Sequence, residues 1–167
     1  MSPKILVMMG VSGCGKTTVG KLVAEEMNWE FVEGDEYHSP ENIAKMSSGQ
    51  PLSDDDRFDW MNALNAKISE ILTAGESGVV ACSALKEKHR KDLAKNWEDQ
   101  VLYIHIQGTF DEIHERMEAR EGHYMKAGML RSQFEALEPP EDVPVYDATM
   151  TPEQIKAEVV QLPEVLA

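Results

Sequence analysis

A chain of 167 residues favours a single domain, residues 1–167, and a domain of this size needs no disulfide or structural metal to fold. Hydrophobic residues make up 42%, but no apolar run approaches the ~20 residues that cross a bilayer, which argues against membrane insertion. The net charge of −14 argues against non-specific nucleic-acid binding, which needs clustered lysine and arginine facing phosphates.

The N-terminal stretch and the two cysteines indicate the compartment. Residues 1–10 form a short apolar stretch after a single lysine, without the long apolar region and cleavage site of a signal peptide. Cys14 and Cys82 are too few for a disulfide framework and lack metal-ligand spacing. We therefore expect a cytoplasmic protein with two free thiols.

Apolar runs alternate with helical patterns along the chain. Five runs are predicted to be buried strands, at 5–9, 29–32, 79–82, 101–106 and 143–148. Helices are predicted over 17–27, 38–49, 53–73, 85–95 and 110–120, then in a segment ending near 137, and from 151 onward. This alternation predicts an α/β fold with a parallel sheet covered by helices on both faces.

The loop after the first strand matches the pattern G-x-x-x-x-G-K-[ST] at every fixed position. Its glycines let backbone N–H groups curl around phosphate oxygens, and the next helix points its positive end at the same anion. Lys16 supplies charge to the outer phosphates, and the Thr17 hydroxyl supplies a ligand to Mg²⁺. The predicted nucleotide-binding residues are Gly10, Ser12, Gly13, Cys14, Gly15, Lys16, Thr17 and Thr18.

Ligands of an open parallel sheet bind beyond the carboxyl ends of its strands. Asp35 follows the second strand, where a carboxylate can accept a proton from an acceptor hydroxyl or orient Mg²⁺; alternatively, it belongs to a merely acidic loop. Lys86 follows the third strand and can bind an anionic substrate; alternatively, it begins a solvated basic helix. We expect the other cations of that helix, Lys88, Arg90 and Lys91, to face solvent.

Nine of the 16 basic residues fall between Lys86 and Arg131. Within this span, Arg116 and Arg120 are four residues apart and share a helix face. The glycine-bounded connection after them, about 121–131, resembles a lid that closes over phosphates and excludes water. The alternative is a solvent-facing arginine pair bonded to nearby glutamates.

Two further residues are weaker candidates for binding an acceptor. His38 can hydrogen-bond substrate hydroxyls. Arg57 can pair with a carboxylate, although it follows three aspartates and can equally serve to neutralise them.

Two stretches are more specific than the phosphate loop: Pro40-Glu41-Asn42-Ile43-Ala44-Lys45-Met46 and Cys82-Ser83-Ala84-Leu85-Lys86. Other parts of the pattern are Gly34-Asp35 with His38, Asp56-Arg57, Trp60, Arg120 with Gly122-His123, and Ser132-Gln133-Phe134. Together these stretches resemble the small P-loop gluconokinases, relatives of shikimate kinase and adenylate kinase. The resemblance extends from residue 4 to about residue 160.

The resemblance implies a P-loop kinase with a five-stranded parallel sheet, a lid and often a homodimer. It implies ATP with Mg²⁺ as cofactors and D-gluconate as acceptor, giving 6-phosphogluconate that feeds sugar-acid carbon into the pentose phosphate route. By position, Asp35 resembles the acceptor-activating acid, Arg116 the residue that packs on adenine and Arg120 the phosphate-binding lid arginine. The predicted catalytic residues are Lys16, Asp35 and Arg120. The predicted substrate ligands are Asp35, His38, Arg57 and Lys86, with Arg57 and Lys86 as candidates for the gluconate carboxylate.

The sequence departs from the usual nucleotide site at the end of the third strand, and it leaves alternatives open for the acceptor. Ser83 stands where a metal-binding acid often ends the third strand, so Thr17 is the predicted metal ligand. The acceptor could instead be shikimate or a nucleoside monophosphate. A nucleotide-dependent switch or an inactive nucleotide-binding module is less favoured, because no guanine-specific loop is evident and Lys16, Thr17 and Asp35 are all present.

Overall fold

A parallel sheet forms the centre of the computed structural model, which describes residues 1–119 and 127–167. In the described ranges its strands are β1 (Ile5–Met9), β2 (Glu30–Glu33), β3 (Gly78–Ala81), β4 (Val101–Gln107) and β5 (Val145–Asp147). Their order is β2-β3-β1-β4-β5, and every neighbouring pair is parallel. The predicted α/β fold with a five-stranded parallel sheet is therefore confirmed, with strand ends shifted by no more than two residues.

Helices lie between and after the strands. They are α1 (Lys16–Met27), α2 (Pro40–Ser47), α3 (Asp54–Thr73), α4 (Glu87–Leu93), α5 (Phe110–Glu118), α6 (Ala127–Ala136), α7 (Pro152–Val159) and α8 (Pro163–Leu166), with a 3₁₀ turn at Gly34–Tyr37. Side chains of Ser39, Ser53, Thr109 and Thr151 cap helix N-termini, as residues of these types do when they accept from N–H groups of the first turn. None of the helices in the described ranges has both the length and the apolarity that a bilayer-spanning segment needs.

Several helix boundaries differ from those predicted. Helix α4 is shorter than the predicted 85–95, because Lys86 is still extended and Ala94 has left helical geometry. The helix predicted from 151 with Thr151 as its cap is confirmed as α7, but it is not the last helix, since Pro163 begins a separate one. Of the predicted lid, about 121–131, residues up to 126 lie outside the described residues and the rest belong to α6.

Strand β1 is buried on both faces of the sheet. Leu6 and Met8 pack into the apolar core on the α1 and α7 side, whereas Ile5, Val7 and Met9 pack into the core on the α3 and α4 side. All five side chains are fully buried, as expected for a central parallel strand between two helical layers. This rigid centre fixes the positions of the loops at the carboxyl ends of the strands.

Gly34 holds the turn that carries Asp35 against β3. A Cβ atom at Gly34 would overlap the backbone carbonyl oxygen of Ala81, and the Trp60 indole N–H donates to the Gly34 carbonyl at 2.8 Å. We expect Gly34→Ala to lower the free energy of unfolding by about 1–3 kcal/mol, as overpacking does elsewhere. Urea unfolding measures this loss.

The matched control is Gly128→Ala on α6, where an added Cβ meets nothing within 4 Å. Alanine is the better helix former, so this variant should be as stable as the parent or slightly more so. Equal stability of the two alanine variants would contradict the close approach at Gly34.

Candidate active site

The phosphate loop connects β1 to α1, and the side chain of Lys16 folds back onto the loop backbone. Gly15 immediately precedes α1 with φ of 107°, a conformation that side-chain-bearing residues rarely adopt. The Lys16 ammonium donates to the carbonyl oxygens of Gly10 and Val11, each at 3.0 Å. Cys14 is buried, whereas Thr18 is exposed in the first turn of α1. The loop therefore has a lysine placed across its mouth, where a phosphate would meet it.

Gln133 of α6 reaches across to the phosphate loop. Its side-chain oxygen accepts from the Ser12 backbone N–H at 2.7 Å, and the residue is 8% exposed. A curled loop of this kind normally offers such N–H groups to an anion, so Gln133 holds a position that a phosphate oxygen would take. Sequence reasoning assigned Gln133 no role. The available signal was a polar residue on the helix face that buries Met129 and Leu130.

Glu33 lies at the end of β2, beside Thr17. The Thr17 hydroxyl donates to the Glu33 carboxylate at 2.5 Å. Since the hydroxyl proton is directed at Glu33, the lone pairs of the Thr17 oxygen remain for another partner. Sequence reasoning missed Glu33, although an acid at the carboxyl end of a parallel strand is a signal for a ligand site.

A cavity beside the loop brings several predicted residues together. Its lining includes Ser12, Lys16, Asp35, His38, Arg57 and Gln133. Its inner space is about 30 Å³, which suffices for one or two water molecules. A larger ligand therefore requires a wall to move. A wider cleft of about 420 Å³ lies at the amino ends of the strands, against Lys4 and Gln100, away from the phosphate loop.

Arg57 brings a buried cation to this cavity. The residue is 9% exposed, and no hydrogen bond or ion pair joins its guanidinium to any residue of 1–119 or 127–167. Burial lowers the pKa of Arg57, while the charges of Asp54 and Asp56 oppose that shift. These two carboxylates are themselves held by lysines, Asp56 by Lys45 at 2.6 Å and Asp54 by Lys86 at 3.3 Å. Arg57 is therefore available to an anion in the cavity.

Two cations at and just before α4 do not lie where we expected them. Lys86, which precedes the helix, pairs with Asp54 and is not among the cavity-lining residues. The prediction that Arg90 faces solvent is wrong: Arg90 is buried and donates to the carbonyl oxygens of Ala84 at 2.7 Å and Glu138 at 2.9 Å. Burial lowers the pKa of Arg90, and these carbonyls satisfy its guanidinium.

Glu138 is bound to the α4 region at three points. Besides accepting from Arg90, its N–H donates to the Leu85 carbonyl at 2.8 Å, and its carboxylate accepts from the Glu87 N–H at 2.8 Å. The chain just after α6 is therefore firmly attached to the segment that follows β3.

Arg116 lies behind the phosphate loop. Its guanidinium donates to the carbonyl oxygens of Ala148 at 2.6 Å and Cys14 at 3.5 Å. The alternative of a bond to neighbouring glutamates is not what we observe for Glu112, whose carboxylate completes the N-terminal cap of α5. The second predicted arginine, Arg120, lies outside the described residues.

Comparison with known proteins gives a consistent result. The family model for shikimate kinase matches residues 12–154. The chain is 43% identical over 142 residues to a gluconokinase of Gluconobacter oxydans, covering 85% of this chain and 79% of that protein. It is 40% identical over 162 residues to the thermoresistant gluconokinase of Escherichia coli, covering 95% and 92%. A crystal structure of a gluconokinase from Sinorhizobium meliloti superposes with a TM-score of 0.86 at 37% identity, covering 98% of this chain and 92% of that one.

Proposed function

This chain belongs to the gluconokinase family of P-loop kinases, and from that premise we propose that it transfers the γ-phosphoryl group of ATP to D-gluconate, giving ADP and 6-phosphogluconate. The observation that carries the proposal is that one cavity joins Lys16 of the phosphate loop to Asp35 and Arg57. These are the three groups the reaction needs: a charge for the donor phosphates, a proton acceptor and a cation for the sugar-acid carboxylate.

We propose the following roles within the site. Backbone N–H groups of the loop and the Lys16 ammonium hold the ATP phosphates in line with the acceptor. Asp35 accepts the proton of a primary hydroxyl of gluconate. As it does so, the hydroxyl oxygen bonds to the γ-phosphorus of ATP, and the bond between that phosphorus and the ADP oxygen breaks. Arg116 packs on adenine, and Arg120 neutralises charge on the transferring group, so Arg120→Ala should remove most turnover.

The side chains beside the loop fit Mg²⁺. Thr17 and Glu33 supply hard oxygen donors, and the described residues hold no cluster of three or more histidine, cysteine or acidic side chains that would suggest a cage for another metal. The Thr17 hydroxyl oxygen would hold the cation, and Glu33, which accepts the hydroxyl proton, would orient that oxygen. When bound, Mg²⁺ neutralises phosphate charge.

Arg57 is our first candidate for the gluconate carboxylate, with Lys86 as the alternative. We expect Arg57→Gln to raise the KM for gluconate about 10- to 100-fold, the equivalent of the ~1.5–3 kcal/mol of hydrogen bonds to a charged group. The KM for uncharged D-gluconamide should change much less, because it has no carboxylate to lose a partner. Steady-state kinetics with both acceptors measures the difference.

Three companion variants complete this comparison. Lys91→Gln, at an exposed lysine of α4, serves as the matched control and should keep the parent KM for gluconate. If Lys86→Gln instead of Arg57→Gln gave the gluconate-specific rise, Lys86 would be the carboxylate ligand. A shared rise for gluconate and gluconamide in Arg57→Gln would show general damage to the cavity.

The acceptor itself is tested by ADP release with Mg-ATP and D-gluconate, shikimate, AMP or no acceptor. We expect fast turnover with gluconate alone. Turnover with shikimate or AMP instead would keep the kinase assignment and replace the acceptor. Turnover that no acceptor accelerates would favour a switch or an inactive nucleotide-binding module.

We propose, finally, that the protein is a cytoplasmic homodimer of single-domain subunits, residues 1–167, with a lid at about 121–131. The resemblance to gluconokinases supports the dimer. Sedimentation equilibrium of the purified chain distinguishes a dimer from a monomer.

A further inference from the structure

A buried chain of polar contacts leads from α2 to Asp35. The Asn42 side-chain nitrogen lies 3.5 Å from His38 Nδ1, and His38 Nε2 lies 3.8 Å from an Asp35 carboxylate oxygen. Asn42 and the His38 side chain are almost fully buried, whereas the Asp35 side chain is 57% exposed toward the site. The His38 ring stacks on Trp60 with centroids 3.8 Å apart. The imidazole is therefore fixed in plane and position behind the exposed carboxylate.

The hydrogen bonds of Asn42 determine which ring nitrogen of His38 carries the proton. The Asn42 side-chain nitrogen also donates to the Asp56 backbone carbonyl at 3.3 Å, which requires the NH₂ group, and not the amide oxygen, at this end. An NH₂ group can only donate, so His38 Nδ1 must accept. In a neutral imidazole the proton then resides on Nε2, the nitrogen that faces Asp35.

The surroundings of His38 keep its ring neutral. Burial lowers the pKa of His38 to about 4, Asp35 from the 3₁₀ turn opposes this shift, and Arg57 from α3 reinforces it. A neutral ring with its proton on Nε2 can donate to a carboxylate without an ion pair. The separation of 3.8 Å exceeds a hydrogen bond, but catalytic contacts are often long before substrate binds and shorten in the complex.

We propose that Asn42 and His38 are positioning residues for Asp35: Asn42 fixes the Nε2–H tautomer of His38, and this N–H holds one carboxylate oxygen so that the other faces the acceptor hydroxyl. The proposal rests on the proposed role of Asp35 as the proton acceptor from gluconate. It differs from the expectation that His38 binds substrate hydroxyls directly, because both ring nitrogens are then engaged by protein groups.

Ring ¹⁵N chemical shifts test the tautomer without any assay of activity. In the parent protein at pH 7, His38 should show a protonated Nε2 and an unprotonated Nδ1, with its signals assigned by their loss in His38→Asn. Asn42→Leu, which removes the donor to Nδ1, should reduce the preference for Nε2–H. A parent His38 with its proton on Nδ1 would overturn the proposal.

Kinetics of two His38 variants test the positioning role. The side-chain nitrogen of glutamine can occupy the place of Nε2, whereas that of asparagine reaches only the place of Nδ1. We expect His38→Asn to lower kcat up to about 10²-fold, as a misplacement of about 1 Å can, with little change in the KM for gluconate. His38→Gln should recover most of that loss. His114→Asn, at a partly exposed histidine of α5, is the control and should keep the parent kcat.

The outcomes separate this inference from the proposed function. A His38→Asn variant that folds but raises KM with kcat intact would make His38 a substrate ligand and overturn the positioning role. Thermal unfolding checks folding. If His38→Asn does not fold, the loss of the same signals in His38→Gln assigns the parent ¹⁵N spectrum, which then decides the tautomer. An Nε2–H tautomer without gluconate-dependent turnover would support the ring arrangement and overturn only the gluconate assignment.

Discussion

Lys16→Ala should lower kcat for gluconate phosphorylation by at least about 10²–10³-fold, the loss seen when one preorganised charge-stabilising donor is removed from an active site. The Lys16 ammonium is braced by the Gly10 and Val11 carbonyls at the mouth of the phosphate loop, so it needs little reorganisation to meet the outer phosphates. Alanine removes the ammonium charge together with its hydrogen bonds to the two carbonyls. ADP release at saturating ATP and gluconate measures the effect.

Lys21→Ala is the matched control for Lys16→Ala, because Lys21 is an exposed lysine of the same helix that points away from the loop toward the Phe31 ring. It should retain near-parent kcat. Retention of more than a tenth of the parent rate by Lys16→Ala, with the fold intact, would contradict the assigned role.

Asp35→Asn should lower kcat by about 10²–10⁴-fold, the usual contribution of a positioned acid or base. Asparagine preserves the size of the side chain but cannot accept the acceptor proton. Because the side chain remains in the cavity beside Lys16 and Arg57, the KM for gluconate should change far less than kcat. The same ADP-release assay, over a range of gluconate concentrations, separates the two constants.

Glu36→Gln provides the comparison for Asp35→Asn, since Glu36 is an exposed acid in the same 3₁₀ turn and is not among the cavity-lining residues. This variant should be as active as the parent. Near-normal turnover by Asp35→Asn would show that the acceptor loses its proton without this carboxylate.

The sheet was predictable because each apolar run along the chain is flanked by a turn signal or a helical pattern, as a buried parallel strand should be. Strand β1 is a continuous apolar run before a glycine loop, and its burial on both faces follows directly from that pattern. The ends of the chain were harder to predict. The sequence pattern predicts one helix from 151 onward, whereas the helix ends at Val159 and a separate one begins at Pro163. A sequence pattern locates such helix ends only to within a few residues.

The candidate site was predictable where a local motif determines the residue, and less so where distant segments meet. Lys16 and Asp35 follow strands whose carboxyl ends define the site, so their neighbourhood could be inferred. Gln133, by contrast, meets Ser12 across 121 positions of sequence. Arg90 looked like one more cation of a solvated helix, and only the packing of α4 beneath Ala84 reveals why it is buried.

The three hydrogen bonds of Glu138 anchor the chain at the C-terminal end of α6, so a rotation of this helix would pivot at that end. At a rise of ~1.5 Å per residue, Gln133 lies ~8 Å and Met129 ~14 Å from that pivot. A tilt of ~10° away from the loop therefore moves Gln133 by ~1.3 Å and Met129 by ~2.4 Å. The first displacement breaks the bond of 2.7 Å to Ser12, and the second retracts a wall of the acceptor cavity. One small rotation of α6 would therefore expose the Ser12 N–H of the phosphate loop and widen the cavity beside it at the same time.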